Sequence, residues 1–479
     1  METSPPTKPK GPKACSTCAK AKARCIPRSN DGKCERCHRL GKHCFSRAPA
    51  PPRLKKRPKR SRVAELEKRL DELSSETLHH RYGDAFAHLF PFVVISTPSA
   101  AETQTESPLV FKAIMLVACF FEGTRQLAMA DELLSDLVSA AMVEGRKTLD
   151  LLQSLELLIA WFHFGLKSSQ LINLLFLTRS IAVNLEASSY DEAGFRRLHH
   201  VRAFAGVFYL NNVIFTTNKR TDILMSTAHL DEYCNALTSA NEYPSDDYLV
   251  RLVRLQQLAQ GIAIAVTPAS SSEPSSLPFA MVIESFRDQL DTFRVTLPPH
   301  IASIPTMQCN ITVVEILLSD VTISEQHCTG AGLTPSDRLH LLWSCVHSLR
   351  AFFQIRFSMF DLDRPRFLSI IVSDLAYAFI TGIKLLALRL PGLDPDRIGQ
   401  ELALDQMLSQ QVHDLAQIIQ RRSSVDDHPS GLEDPLEKLQ RLLMTGQELV
   451  ALQLSGVPMR EIADTLVQEM SKTQWHDLS

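Results

Sequence analysis

Six cysteines fall within residues 15–44: Cys15, Cys18, Cys25, Cys34, Cys37 and Cys44. Their spacing is C-x2-C-x6-C-x8-C-x2-C-x6-C. It contains a repeat, because CSTCAKAKARC (15–25) and CERCHRLGKHC (34–44) carry their cysteines in one register. Clustered thiolates suit a tetrahedral ion, above all zinc. Two matching halves predict two matching sites, which need eight ligand positions. Six thiolates supply eight if two of them bridge both ions. Cys15 and Cys34, which open the two halves, are the natural bridges. Cys18 and Cys25 then complete one site, and Cys37 and Cys44 the other. One ion with two spare cysteines would waste the symmetry. A cross-braced module would need eight separate ligands and would have to recruit His38 and His43, the latter awkwardly adjacent to Cys44. The remaining cysteines (Cys119, Cys234, Cys309, Cys328, Cys345) are scattered singly and read as small buried apolar side chains.

Between Cys18 and Cys25 stand Lys20, Lys22 and Arg24, alternating with alanines. They have no apolar face to bury. A metal cluster needs none, because structural zinc supplies roughly 10 kcal/mol or more of folding free energy. The cations are therefore available to a partner. Its charge is indicated by an asymmetry hidden in the formal net charge of −2: residues 1–62 hold 19 Lys/Arg against 3 Asp/Glu, while the rest holds 32 against 50. A basic end of this kind points to nucleic acid or another acidic surface.

On its six cysteines and their x2, x6, x2 and x6 intervals, the segment resembles the DNA-binding domain of the fungal binuclear zinc cluster (Zn2Cys6) transcription factors. The resemblance implies two Zn2+ per chain held by the six cysteines, with Cys15 and Cys34 at the bridging positions, and a short helix plus an extended stretch in each half. It also implies that Lys22, the fourth residue after the second cysteine, reads guanines of a CGG triplet in the major groove of double-stranded DNA. A lysine donating to guanine O6 and N7 is a common specific contact. Lys20 and Arg24 are then assigned to phosphates, which position but do not specify. In a helical turn Lys20 and Lys22 would lie about 200° apart and could not share one task. The chain departs from the family at Ala19 and Ala21, where Arg or Lys is common, and at Pro27, which comes early in the inter-half loop.

The elements that must position this module follow it. Residues 45–62, FSRAPAPPRLKKRPKRSR, combine four prolines with a dense basic run. They read as an extended linker that doubles as a nuclear localisation signal or a phosphate-tracking arm. In 63–80, Val63, Leu66, Leu70, Leu73 and Thr77 occupy a and d heptad positions, which predicts a short coiled coil. In the resembled family such a segment makes a homodimer that binds two half-sites. From 84 to 479 the pattern is helical nearly throughout, with TPASSSEPSSLP (267–278) as the clear low-complexity break. Ser168 and Ser336 read as helix starts. The expected architecture is a small metal-stabilised Zn2Cys6 cluster domain plus a short coiled coil and a large all-α regulatory domain. Its expected parts are a disordered N-terminus 1–14, the cluster 15–44, the linker 45–62, the coiled coil 63–80 and the helical body 84–479.

No GxGxxG, P-loop, GxSxG or HExxH motif occurs, so the expected protein is not an enzyme. Trp161, Phe162, His163 and Phe164 read as core. RRSS at 421–424 has the form of a basophilic kinase site, and SVDDHPSGLEDPLE (424–437) mixes acidic and apolar residues as activation segments do. The first residues are polar and no run of 18 apolar residues exists, which predicts no membrane partner and, with the resemblance, a nuclear protein acting at RNA polymerase II promoters on CGG-like half-sites. A small-molecule or protein effector of the helical body is left open. The competing reading is a zinc-stapled interaction protein or an enzyme-associated protein whose helical body has a role without DNA.

Overall fold

The computed structural model describes residues 14–28, 32–46, 62–188, 194–218, 224, 228–266, 278–325, 328, 333–358, 371–425 and 434–454. The expected N-terminal tail before residue 14, the linker core 47–61 and the low-complexity stretch 267–277 lie outside them, as does most of the acidic segment 424–437. The chain divides into two compact units, Met1–Glu67 and Lys68–Ser479.

The first unit holds α1 (Ser16–Lys20) and α2 (Glu35–Arg39), each followed by extended chain. Helix α3 (Arg62–Ala85) runs through the 67/68 division. The larger unit continues with α4 (Ala100–Glu106), α5 (Pro108–Ala118), α6 (Gly123–Val138), α7 (Leu149–Phe162), α8 (Ser168–Ser188), α9 (Gly194–Thr217), α10 (Ala228–Ala240), α11 (Ser245–Val266), α12 (Phe279–Val295), α13 (Pro299–Ala302) and α14 (Pro305–Ser319). It closes with α15 (Pro335–Phe357), α16 (Ile371–Ala387), α17 (Pro395–Leu402), α18 (Leu404–Val425) and α19 (Pro435–Leu454). Among the described residues there is no strand, only a single bridge between Leu390 and Leu393.

Local chemistry sets the helix ends. Thr148 caps α7 by accepting the Leu151 N–H at 3.3 Å. Asp150, in the first turn of α7, accepts the N–H groups of Leu109 and Val110 at 3.3 and 2.9 Å, so one carboxylate also caps α5. Helix α8 starts at Ser168 as expected, but the cap of α15 is Thr334 rather than Ser336. Thr334 Oγ1 accepts the Asp337 N–H at 3.2 Å with Pro335 at the first helical position, the arrangement that leaves no donor wasted.

Helix α5 packs on α7, α7 on α8 and α9, α9 on α11, α11 on α14, and α14 on α15. Leu151, Leu155, Phe215, Leu249 and Phe352 from these helices belong to one continuous core. Helix α11 is long and apolar enough to cross a membrane by length and composition, yet 61% of that stretch is buried within the body. Its Asp246 receives the wholly buried Arg202 guanidinium at 2.8 Å. Helices α18 and α19 pair, and a second small cluster of Leu415, Ile418 and Leu436 packs on Phe120.

Helix α3 changes character along its length. Leu66, Leu70 and Leu73 are 54%, 66% and 66% exposed, whereas Leu78 and Tyr82 are buried in the core of the larger unit. The predicted heptad positions 66, 70 and 73 thus form an uncovered apolar stripe on the same helix that anchors Leu78.

Candidate metal centre and nucleic-acid interface

The two cysteine halves repeat in backbone as well as in sequence, at an offset of 19 residues. The amide N–H of Cys15 meets Cys25 Sγ at 3.4 Å, and that of Cys34 meets Cys44 Sγ at 3.4 Å. Ala23 N–H donates to the Cys18 carbonyl at 3.0 Å, and Lys42 N–H to that of Cys37 at 2.9 Å. The halves also exchange their ends: Ser16 N–H donates to Phe45 O at 2.9 Å, and Glu35 N–H to Ile26 O at 3.0 Å. This reciprocity gives the module a pseudo-two-fold relation, and Thr17 Oγ1 adds a bond to the His43 carbonyl at 2.7 Å.

The sulfurs lie where that relation brings them. Those of Cys15, Cys18, Cys34 and Cys37 are all within 4.8 Å of one another, and all four residues are buried. Cys15 and Cys34 are 3.8 Å apart, Cys15 and Cys37 3.7 Å, Cys18 and Cys34 3.5 Å, and Cys18 and Cys37 4.0 Å. A tetrahedral zinc with Zn–S bonds of about 2.3 Å separates its sulfurs by about 3.8 Å, a spacing these four sulfurs meet; the set takes Cys15, Cys18 and Cys34 from one expected site and Cys37 from the other, and leaves Cys25 and Cys44 beside it. The all-thiolate donor set fits zinc as well. Among the described residues the side chains packed against this cluster are those of Cys25 and Cys44, and none is aliphatic.

Cys15 and Cys34 differ electrostatically from the other four. The Cys18 amide donating to Cys15 Sγ draws that thiol down to about 6. The Cys37 amide likewise lowers Cys34. Burial raises Cys18 and Cys37 instead. The Cys25 sulfur interacts with those of Cys15, Cys34 and Cys18, and the Cys44 sulfur with those of Cys15 and Cys34. The two cysteines that open the halves are thus central to all six sulfurs and most readily become thiolates.

The three cations leave the cluster by different routes. Lys20 ends α1, Lys22 follows it with φ +47°, and Arg24 lies on the extended stretch. All three are exposed, and among the described residues none is ion-paired. Lys20 and Lys22 do not share a helical turn, because the helix stops at Lys20 and the backbone at Lys22 reverses into the left-handed region. That reversal returns the chain toward Cys25. The equivalent residue in the second half is Gly41, with φ +61°. A left-handed lysine costs about 1–2 kcal/mol that glycine does not. Arg39 and His43 occupy the register positions of Lys20 and Arg24, so the second half carries one flanking cation, Arg39, an imidazole in place of the other, and glycine in place of the lysine at the turn. Sequence reasoning passed over Arg39, although the 19-residue repeat was the signal that could have found it. His38 and His43 are both exposed, and His43 stacks on Phe45 with ring centroids 5.7 Å apart.

The secondary candidates in the body are taken up by packing. Arg422 of RRSS is buried, bonds the Asp434 carboxylate at 2.7 Å and the Gln126 side chain at 3.0 Å, and reaches the Phe120 carbonyl. Arg421 stacks over Phe121 at 4.1 Å. The motif is therefore helical and its arginines are structural, unlike an extended kinase substrate. Trp161 and Phe162 lie in the core, as their sequence context indicates. His79 is buried and shares a 3.0 Å hydrogen bond with Thr103 Oγ1.

No protein-family model matches the chain, and no solved structure matches it. Among curated proteins, transcription factor himD of Aspergillus japonicus is 24% identical over 373 residues, covering 65% of this chain and 62% of the relative. Transcription factor opdL of Penicillium oxalicum is 24% identical over 463 residues, covering 80% of each chain. A protein of Aspergillus terreus named as a transcription factor is 24% identical over 281 residues, covering 55% of this chain and 42% of the relative. The chain thus spans less than two thirds of the length of the first and third of these relatives. It is a homologue of fungal proteins named as transcription factors, and its N-terminal cysteine cluster fits the Zn2Cys6 type.

Proposed function

We propose that this protein is a zinc-dependent, sequence-specific DNA-binding regulator of transcription, working in the nucleus at RNA polymerase II promoters. Two Zn2+ ions share Cys15 and Cys34. Cys18 and Cys25 complete one tetrahedron, and Cys37 and Cys44 the other. The ions staple two halves too small to fold on apolar burial and leave their cations facing outward. Lys22 reads a guanine-rich CGG-like triplet in the major groove, while Lys20 and Arg24 hold phosphates. Two copies join through the exposed leucines of α3, so that the dimer engages two half-sites. The protein acts by binding and carries out no turnover of its own.

The observation that carries this reading is the pairing of Lys22 with Gly41 at equivalent left-handed turns. The repeat shows what the scaffold needs there, a residue without backbone strain, and the first half tolerates a strained lysine instead. A side chain kept at a conformational cost fits a contact the scaffold itself does not require.

The test is selection of bound DNA from a random pool by the full chain, alongside its zinc content. Enrichment of CGG-like triplets with two zinc ions per chain supports the reading. One zinc per chain would reject the bridged cluster, and binding with no sequence preference would reject the reader role of Lys22.

A further inference from the structure

The helical body contains a half-open cavity of about 650 Å³ between α15, α17 and the start of α18, with Arg397 and Gln400 at its exposed rim. Its origin is the turn between α17 and α18. Ala403 adopts φ +45° and closes α17 by donating its N–H to the Gly399 carbonyl at 2.9 Å, which turns the chain sharply before Leu404. The space left beside α15 falls within the 300–1,000 Å³ typical of small-molecule sites.

The lining is divided by chemistry. Phe357 and Met407, both half-buried, form its apolar surface, backed by the buried Phe353 and Leu402. Arg350, Arg397 and Glu401 are the charged members, so the site carries one net positive charge. Glu401 is already matched by Arg350, with which it forms an ion pair. Arg397 has no carboxylate partner among the described residues. Its guanidinium is held over the Trp343 ring, 4.5 Å from the centroid. That stacking occupies one face of the guanidinium and leaves its in-plane N–H donors available. A second cavity, of about 640 Å³ between α11 and α12, lacks this feature: its arginine, Arg254, is engaged by Asp231 and Gln257.

We infer that the cavity between α15, α17 and α18 binds a small amphiphilic monoanion, an aromatic or aliphatic carboxylate, with its acid on Arg397 and its apolar body against Phe357 and Met407. A planar guanidinium matches a carboxylate in a fork-to-fork geometry, and the half-apolar wall matches a hydrocarbon body. The inference is independent of the DNA reading, and its test uses no DNA.

The experiment is calorimetric titration of the full, zinc-loaded chain with 1-naphthoate and with its neutral analogue 1-naphthalenemethanol. Saturable one-site binding of 1-naphthoate is expected, with the alcohol weaker by about tenfold or more, the scale of a charge-assisted hydrogen bond. Arg397→Ala should weaken 1-naphthoate by a similar factor without weakening the alcohol, and Arg397→Lys should fall between. Met407→Glu should weaken both. No saturable binding of 1-naphthoate up to roughly 1 mM, a level at which even weak sites fill, would overturn the inference. So would equal binding of acid and alcohol, or an unchanged affinity in Arg397→Ala. If Arg397→Ala lowers thermal stability, the acid-against-alcohol comparison on the unmodified chain decides by itself.

Discussion

Replacing Leu66 and Leu73 by alanine should separate DNA contact from dimerisation. The two side chains are 54% and 66% exposed, and Leu70 between them is 66% exposed. Burying a leucine completely is worth about 1.5–3 kcal/mol, so a seam covering all three on two chains gains about 6–11 kcal/mol. Association costs about 4–15 kcal/mol, so this seam sits near balance and yields a weak dimer. Alanine keeps one methyl of each leucine. The double substitution then removes about 3–5 kcal/mol per dimer, or roughly a 100- to 4,000-fold loss in the dimerisation constant. Because both residues are mostly exposed and belong to none of the core clusters among the described residues, thermal stability should hold. Sedimentation of the full chain, with binding to DNA bearing one or two half-sites, reads both consequences. Two-site binding should fall sharply and one-site binding stay nearly intact, since tethering by a partner is what the second site exploits. Unchanged self-association would show that the stripe is no seam, and equal loss on both DNAs would show that it supports the cluster instead.

Cys15→Ser and Cys34→Ser should each lower zinc content and DNA binding more than Cys25→Ser or Cys44→Ser, because a bridge serves two ions; equal losses at all four positions, measured by elemental analysis, would argue against bridging. Lys22→Gly should retain zinc and relieve the left-handed turn while losing about 1–3 kcal/mol of discrimination for CGG, whereas Arg24→Ala should weaken all sequences alike and flatten the salt slope by about one unit; a uniform loss in Lys22→Gly would refute this division. Burial holds the Asp374 carboxyl up at about 8, from an ordinary 3.8. The stability of its neutral form is complete below the ordinary value and is lost as pH rises through about 8, so the stability advantage of Asp374→Asn over the unmodified chain should grow between pH 5 and pH 8 in chemical denaturation. A gap that does not change with pH would contradict it.

The cysteine module was legible because its information is local. A C-x2-C pair sets two sulfurs on one short turn, the x6 interval brings a third back to it, and the repeated spacing implies a repeated backbone. Helices in the body were legible for a similar reason, since a 3.6-residue period and a capping residue act within one turn, although Thr334 took the cap expected near Ser336. Which partner covers a given apolar face is a different quantity. The coiled-coil stretch of α3 reads as 63–80, yet Leu78, which lies beside the heptad seam, is buried in the core while Leu66, Leu70 and Leu73 stay open, and only the helices packed around Leu78 decide that. RRSS reads as a phosphorylation motif until Phe120 and Phe121, far away in sequence, and Asp434, just before α19, engage its arginines. The departure of Lys22 from the helix is set by closure of the chain around the sulfurs, and the cavity beside Arg397 by a reversal at an ordinary alanine. Periodicity specifies that a face must be buried; the burial itself is a long-range contact, which the chain determines only when all its helices pack at once.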